Sequence, residues 1–145
     1  MFLELKKTHQ MELKLVENEP KFYEFIRKLR TDEDNIDGFL ERVQITPEQQ
    51  IKYMEKYDKC YFICLNGETP VGFIGVVDDD IRVCTNHQNK GQGVGYFMLT
   101  EIMKLYPDAK AKILEKNVAS INLFKKSGFV VMETKDGMHY LKNKI

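Results

Sequence analysis

The hydrophobic and polar positions change period several times along the chain, and each change marks an element. Met11–Val16 alternates apolar and polar residues, as a half-buried strand does. Asn18-Glu19-Pro20 then opens a helix. Its apolar stripe, Phe22, Phe25, Ile26 and Leu29, recurs at helical spacing and should end near Arg30–Asp34. Thr46-Pro47-Glu48-Gln49 is a second helix start: Thr46 can cap, Pro47 suits the first turn, and Gln49 can complete a capping box. That helix runs to about Tyr57. Cys60–Leu65 is a short apolar run that suits a buried strand. Asn66-Gly67-Glu68 is a hairpin turn, Pro70–Val77 its partner strand, Asp78–Asp80 a second turn and Ile81–Thr85 a third strand.

A glycine-rich loop follows, then an apolar helix to about Tyr106, stopped by Pro107. Ala109–Glu115 reads as a strand, Val118–Ser127 as a helix ended by Gly128, and Phe129–Glu133 and Met138–Lys142 as strands around a turn at Asp136-Gly137. The order is β-α-α-β-β-β-α-β-α-β-β. That order predicts an α/β domain with a mixed sheet and not a regular βαβ repeat.

Length changes this picture little. The 145 residues suit one domain, 1–145, and no repeat or linker argues for a boundary. Charge narrows the function. The 22 basic and 22 acidic residues cancel, so no general affinity for nucleic acid or an acidic membrane is expected. No apolar stretch reaches membrane-spanning length. The start, Met1–Lys7, carries acid and base too early for a secretory signal, which predicts a cytoplasmic protein. Cys60, Cys64 and Cys84 lack CxxC spacing and number three, which favours reduced thiols. His9, His87 and His139 are far apart and none has a second ligand at metal spacing, so no metal site is expected. The triple aspartate is better explained by a polar turn than by a cation.

The chemistry concentrates in Lys90-Gly91-Gln92-Gly93-Val94-Gly95-Tyr96, between a strand and a helix. Glycines at alternate positions let the backbone approach a ligand and adopt conformations other residues resist. The first turn of a helix carries unpaired N–H groups and a partial positive charge, which suits a pyrophosphate. A flexible turn would also explain the glycines. The spacing matches neither GxGxxG nor a P-loop.

A second segment, Asn117–Phe129, follows a predicted strand. Together with Lys90–Gly95 it resembles the acetyl-CoA-binding half of the GNAT superfamily of N-acetyltransferases, over Pro70–Phe129. The resemblance implies the GNAT fold and acetyl-CoA as cosubstrate, without a metal. Gly91, Gln92, Gly93, Val94, Gly95 and Tyr96 would then wrap the pyrophosphate. Lys90 stands where the family has Arg or Gln, which keeps a charge but loses the forked donor geometry. Val83, Cys84 and Thr85 would pair with the pantetheine arm, and a backbone N–H there would stabilise the oxyanion of the transfer step. Asn117 and Ser120 match positions facing the cofactor, and Lys125 and Lys126 could meet nucleotide phosphates.

Phe124 stands at a cofactor-side position where many members have a tyrosine that protonates the departing thiolate, and phenylalanine has no proton to give. Tyr140 or Tyr96 would have to serve instead, or water. A thiol's pKa of about 8.5 makes the thiolate a good leaving group without help. Glu115, Asp80 and His87 are candidates for the base that frees the acceptor amine; Tyr140 and Glu115 are taken as the catalytic pair. Arg82 alternates with the strand's apolar residues and could contact an acidic acceptor, or could simply be solvated. Tyr53 and Tyr57 could line an acceptor pocket or pack.

The stretch Arg30–Tyr57 is similar to the start of members that acetylate small amines. The expected activity is direct acetyl transfer to a primary amine of a small molecule such as an amino-sugar, by a monomer or homodimer. Transfer to a protein N-terminus or lysine is the alternative within enzymes. A non-catalytic acyl-CoA-binding regulatory module is the alternative outside them.

Overall fold

The computed structural model describes residues 11–32 and 44–144. Met1–Lys7, His9, the expected Asp34 helix end and part of the Arg30–Tyr57 stretch lie outside the described residues. Strand β1 is Leu13–Glu17. A 3-10 turn at Pro20–Phe22 leads into helix α1, Tyr23–Thr31, and α2 is Pro47–Tyr57. Strands β2, β3 and β4 are Tyr61–Asn66, Thr69–Val77 and Asp80–Thr85. Helix α3, Val94–Leu105, strand β5, Lys110–Leu114, and helix α4, Val118–Lys126, follow. Strands β6, Phe129–Lys135, and β7, Met138–Asn143, close the chain. The element order is the expected one. The first helix starts later because the Phe22 and Tyr23 N–H groups bond three residues back, to the Glu19 and Pro20 carbonyls, in a 3-10 turn, and a short 3-10 turn at His87–Asn89 precedes the glycine loop.

Local chemistry explains several boundaries. The Thr46 hydroxyl accepts from the Gln49 N–H at 3.1 Å, and the Gln49 side chain accepts from the Thr46 N–H at 2.9 Å. This reciprocal cap satisfies two of the donors that a helix start leaves open. Asp78 and Asp79 both have positive φ, so the β3–β4 connection is a tight two-residue turn whose twist suits a hairpin.

The seven strands form one sheet in the order β1-β2-β3-β4-β5-β7-β6. Every neighbouring pair is antiparallel except β4–β5. The β2–β3 ladder shifts register between Cys64 and Leu65, which leaves Val71 as an extra residue and turns it to the opposite face from Phe73. Helices α3 and α4 cover one face. Met98, Leu99 and Ile102 of α3 and Ile121 and Phe124 of α4 pack there on Ile74, Val76, Ile81, Ala111, Ile113 and Leu141. Helices α1 and α2 cover the other, with Ile26, Leu29 and Met54 on Tyr61, Ile63, Phe73 and Val77. Truncating a fully buried residue such as Leu99 or Ile102 to alanine costs about 2–5 kcal/mol.

Candidate active site

Strands β4 and β5 touch at one end only. Their single ladder pair is Asp80 with Lys110, reinforced by the Lys110 N–H donating to the Asp79 carbonyl at 2.7 Å. Beyond it the strands separate. The Asn86 N–H donates to the Val71 carbonyl at 2.8 Å, so by the alternation of an antiparallel ladder Arg82 and Cys84 spend their backbone groups on β3. The N–H and C=O groups of Val83 and Thr85 therefore face the gap. On the far side, the Glu115 N–H donates to the Gly137 carbonyl at 2.9 Å, and the same alternation turns the backbone of Lys112 toward the gap.

The gap opens on one face into a cavity of about 830 Å³, within the usual range for a small-molecule site. Its walls are the end of β4, the glycine loop, and the first turns of α3 and α4. The first helical hydrogen bond of α3 runs from the Phe97 N–H to the Gly93 carbonyl, at 3.0 Å. Gly93 has no side chain to cap the preceding N–H groups of Val94, Gly95 and Tyr96. Helix α4 differs, because the Asn117 side chain accepts from the Ser120 N–H at 3.2 Å. The lining includes Lys90, Lys116 and Lys126 and no carboxylate, so the field favours an anion.

Three glycines make the cavity in two ways. Gly91 and Gly93 have φ of 79° and 89°, and a Cβ on either would point into open space. They form a cradle that a side chain would fill. Gly95 is helical, and a Cβ there would come within 2.8 Å of Leu123 Cδ2; this glycine lets α3 and α4 approach. An anionic group on the scale of a pyrophosphate fits this cradle: open donors, open space and positive charge coincide.

Of the residues singled out from sequence, Val83, Cys84, Thr85, Lys90, Gly91, Gly93, Val94, Gly95, Tyr96, Asn117 and Ser120 all line the cavity. Gln92, Lys125, Glu115 and Tyr140 do not. Phe124 lies behind the wall, 3% exposed, with its ring edge-on to Phe129 at 5.1 Å. Lys116 and Lys126 line the site as well; Lys126 sits 5.0 Å from the centre of the Tyr96 ring and links α3 to α4. Lys116 was legible only as the neighbour of Asn117.

The other face of the gap is polar. Arg82, Asp80 and Cys84 alternate onto the side covered by α1 and α2. Arg82 Nη1 donates to the Tyr53 hydroxyl at 3.1 Å, and the Tyr53 and Tyr61 hydroxyls are 2.7 Å apart. Burial first, and then the bond to Tyr61, push the Tyr53 phenol well above its ordinary value. Gly75 makes room for the Tyr61 ring, since a Cβ there would lie 2.5 Å from Tyr61 Cδ1. Burial also pushes the Cys84 thiol up to about 12, which keeps it protonated and a poor nucleophile at neutral pH. Burial raises the Asp80 carboxyl against the opposing pull of Lys112 and Arg82. Tyr140 lies opposite Lys112 in the β5–β7 ladder. Among the described residues, no group of three or more His, Cys, Asp or Glu side chains could hold a metal, and no helix is long and apolar enough to cross a membrane.

A mixed sheet split between two central strands, with an uncapped, lysine-lined helix start beside the split, defines a site for an extended ligand with an anionic end. Comparison with known proteins gives the class. The family model described as "Acetyltransferase (GNAT) family" matches residues 20–129. The chain belongs to the GNAT acetyltransferase family and is an N-acyltransferase. Among solved structures it is similar to spermidine N-acetyltransferase from Vibrio cholerae in complex with CoA and spermine, at 12% identity and a TM-score of 0.77, over 90% of this chain and 94% of that one. It is also similar to yncA from Salmonella typhimurium with its cofactor acetyl-CoA, at 14% identity and a TM-score of 0.74, over 90% and 92%. The GNAT-family acetyltransferase from Streptococcus pneumoniae matches at 18% identity and a TM-score of 0.73, over 90% and 96%. No curated protein matches the chain in sequence.

Proposed function

We propose that this chain transfers the acetyl group of acetyl-CoA directly to the primary amine of a small molecule, such as an amino-sugar. The observation that carries this reading is the β4–β5 gap opening onto an uncapped, lysine-lined helix start. The N–H groups of the loop and of Val94–Tyr96 would hold the pyrophosphate, with Lys90, Lys116 and Lys126 neutralising its charge. Asn117, Ser120 and the free edge of β4 would align the pantetheine arm. When bound, acetyl-CoA supplies an activated acyl group. The N–H of Val83 or Thr85 would donate a hydrogen bond to the acyl oxygen as negative charge develops on it, from a fixed position in the gap. The protonated Cys84 thiol supports transfer without a covalent enzyme intermediate. Two proton transfers complete the reading: Glu115 would take the amine proton and Tyr140 would protonate the departing thiolate, Phe124 having no proton to give.

The test measures CoA thiol release with a panel of small amines and peptide amines. Small-amine-dependent release, lowered by Tyr140→Phe and Glu115→Gln with a changed pH profile, is the expected result. CoA binding without thiol release from any amine would replace the reading with a regulatory binding module. Preference for peptide amines would replace the small acceptor with a protein.

A further inference from the structure

Arg82 is a charged side chain that the cofactor chemistry leaves unused. It lies beside the gap, one residue from Val83, on the face opposite the anion-binding cavity. That is the face from which an acceptor would reach an acyl group lodged in the gap. The side chain is 39% exposed, so its head is accessible while its base is fixed.

Its surroundings hold it without neutralising it. Arg82 donates to the Tyr53 phenol, itself bonded to Tyr61, and a phenol accepting from a guanidinium orients the fork but leaves its charge intact. Asp80 is the one carboxylate paired with Arg82 among the described residues, and it approaches Nε to only 3.8 Å. A carboxylate that committed the fork would sit at about 2.7–2.9 Å, usually through two parallel bonds. The raised Asp80 carboxyl agrees, since a tight pair would have lowered it. Lys112, on β5 across the gap, adds a second positive charge on this side. Two acids, Asp80 and Asp32, act on the same neighbourhood, and the field of Asp32 is felt at Cys84. The face therefore presents both signs side by side. A polycation would meet Arg82 and Lys112 as like charges, each an unfavourable contact near a half-buried group. An acceptor with an amine and an acid group would meet opposite charge at both ends.

We propose that Arg82, oriented by Tyr53 and Tyr61, is the specificity-determining residue of the acceptor side, and that the acceptor carries a carboxylate or phosphate as well as the amine to be acetylated. The proposal rests on the acetyl-transfer reading and narrows its substrate class. Tyr53 is a positioning residue: its hydroxyl fixes the fork and touches no reacting atom.

The experiment compares matched amines with the purified full chain, reading CoA release: methionine against methioninamide for the carboxylate arm, glucosamine 6-phosphate against glucosamine for the phosphate arm, and spermidine as the polycation. At least one acid-bearing amine is expected to exceed its neutral partner by about 10- to 100-fold in kcat/KM, the size of a hydrogen bond to a charged group. Arg82→Met should collapse that ratio toward one, and Arg82→Lys should restore part of it. Tyr53→Phe should raise KM for the acid-bearing amine with little change in kcat. CoA affinity and melting temperature identify variants that merely unfold, in which case Arg82→Lys and Tyr53→Phe carry the test. Acetylation of neutral amines or spermidine with ratios indifferent to Arg82 overturns this proposal and leaves acetyl transfer standing. Release from no amine, with CoA bound, overturns the acetyl-transfer reading itself.

Discussion

Gly93→Val separates the ligand-binding role of the glycine loop from a merely structural one. The perturbation has two parts. Gly93 has φ of 89°, which costs a branched L-residue about 1–2 kcal/mol. For a chain of this size each kcal/mol lowers the melting temperature by about 2–4 °C, so a fall of about 2–8 °C is expected. The added side chain meets no protein atom, because nothing lies within 4 Å of the Cβ position, so no packing cost joins the strain. Binding should suffer far more. The side chain occupies the cradle and keeps an anion from the open N–H groups of Val94–Tyr96. Each charge-assisted hydrogen bond lost is worth about 1.5–3 kcal/mol, so losing two weakens CoA by at least about 100-fold. Calorimetric titration with CoA and with pantetheine, which lacks the pyrophosphate, makes the test specific. The variant should lose CoA affinity and keep its weak affinity for pantetheine. CoA binding within about threefold of the parent, or equal losses for both ligands, would refute the assignment of the loop to phosphate.

Gly75→Ala should act on the opposite face: its Cβ would displace the Tyr61 ring, at a cost of about 1–3 kcal/mol in thermal unfolding, and raise the acceptor KM while CoA affinity holds. Cys84 should alkylate far more slowly than a free thiol at neutral pH, with its rate still rising at pH values where a free thiol has levelled off; labelling at pH 7 as fast as a free thiol would contradict its raised pKa. Asp80 has a folded-state pKa raised above its ordinary 3.8, so its protonated form is the one folding tolerates best. That contribution is fully present below the unfolded pKa and lost as pH rises through the folded one. Asp80→Asn should therefore raise the melting temperature at pH 7, and the gain should shrink as pH falls toward 3.8.

Sequence proved most informative where the cause was local. The Thr46–Gln49 cap, the Asp78-Asp79 turn and the cavity-lining glycines rest on neighbours a few residues apart, and each appears where its chemistry requires. Gly95 lines the same cavity, and only the fold adds its second reason, the approach of Leu123 from another helix. The Arg82–Tyr53–Tyr61 chain spans three elements, and only the fold brings them together. One signal for it was present: Gly75, inside an otherwise apolar strand, marks a place where something bulky comes close. Phe124 illustrates a different limit. A position can match a motif while its ring serves the core beside Phe129, and only packing reveals that.

The lone Asp80–Lys110 bridge leaves the middle of the sheet held by side chains more than by backbone: the core under α3 and α4 runs without a break from Ile74 and Ile81 to Ile113 and Leu141, while the strands themselves bond at one corner. Most rungs of an ordinary central ladder are missing, so the backbone groups along the rest of the seam are left to another partner. A ligand whose amides bridge the seam would supply those rungs. Substrate would then act as a removable strand, and its affinity would contribute directly to the stability of the whole chain as its concentration rises above Kd.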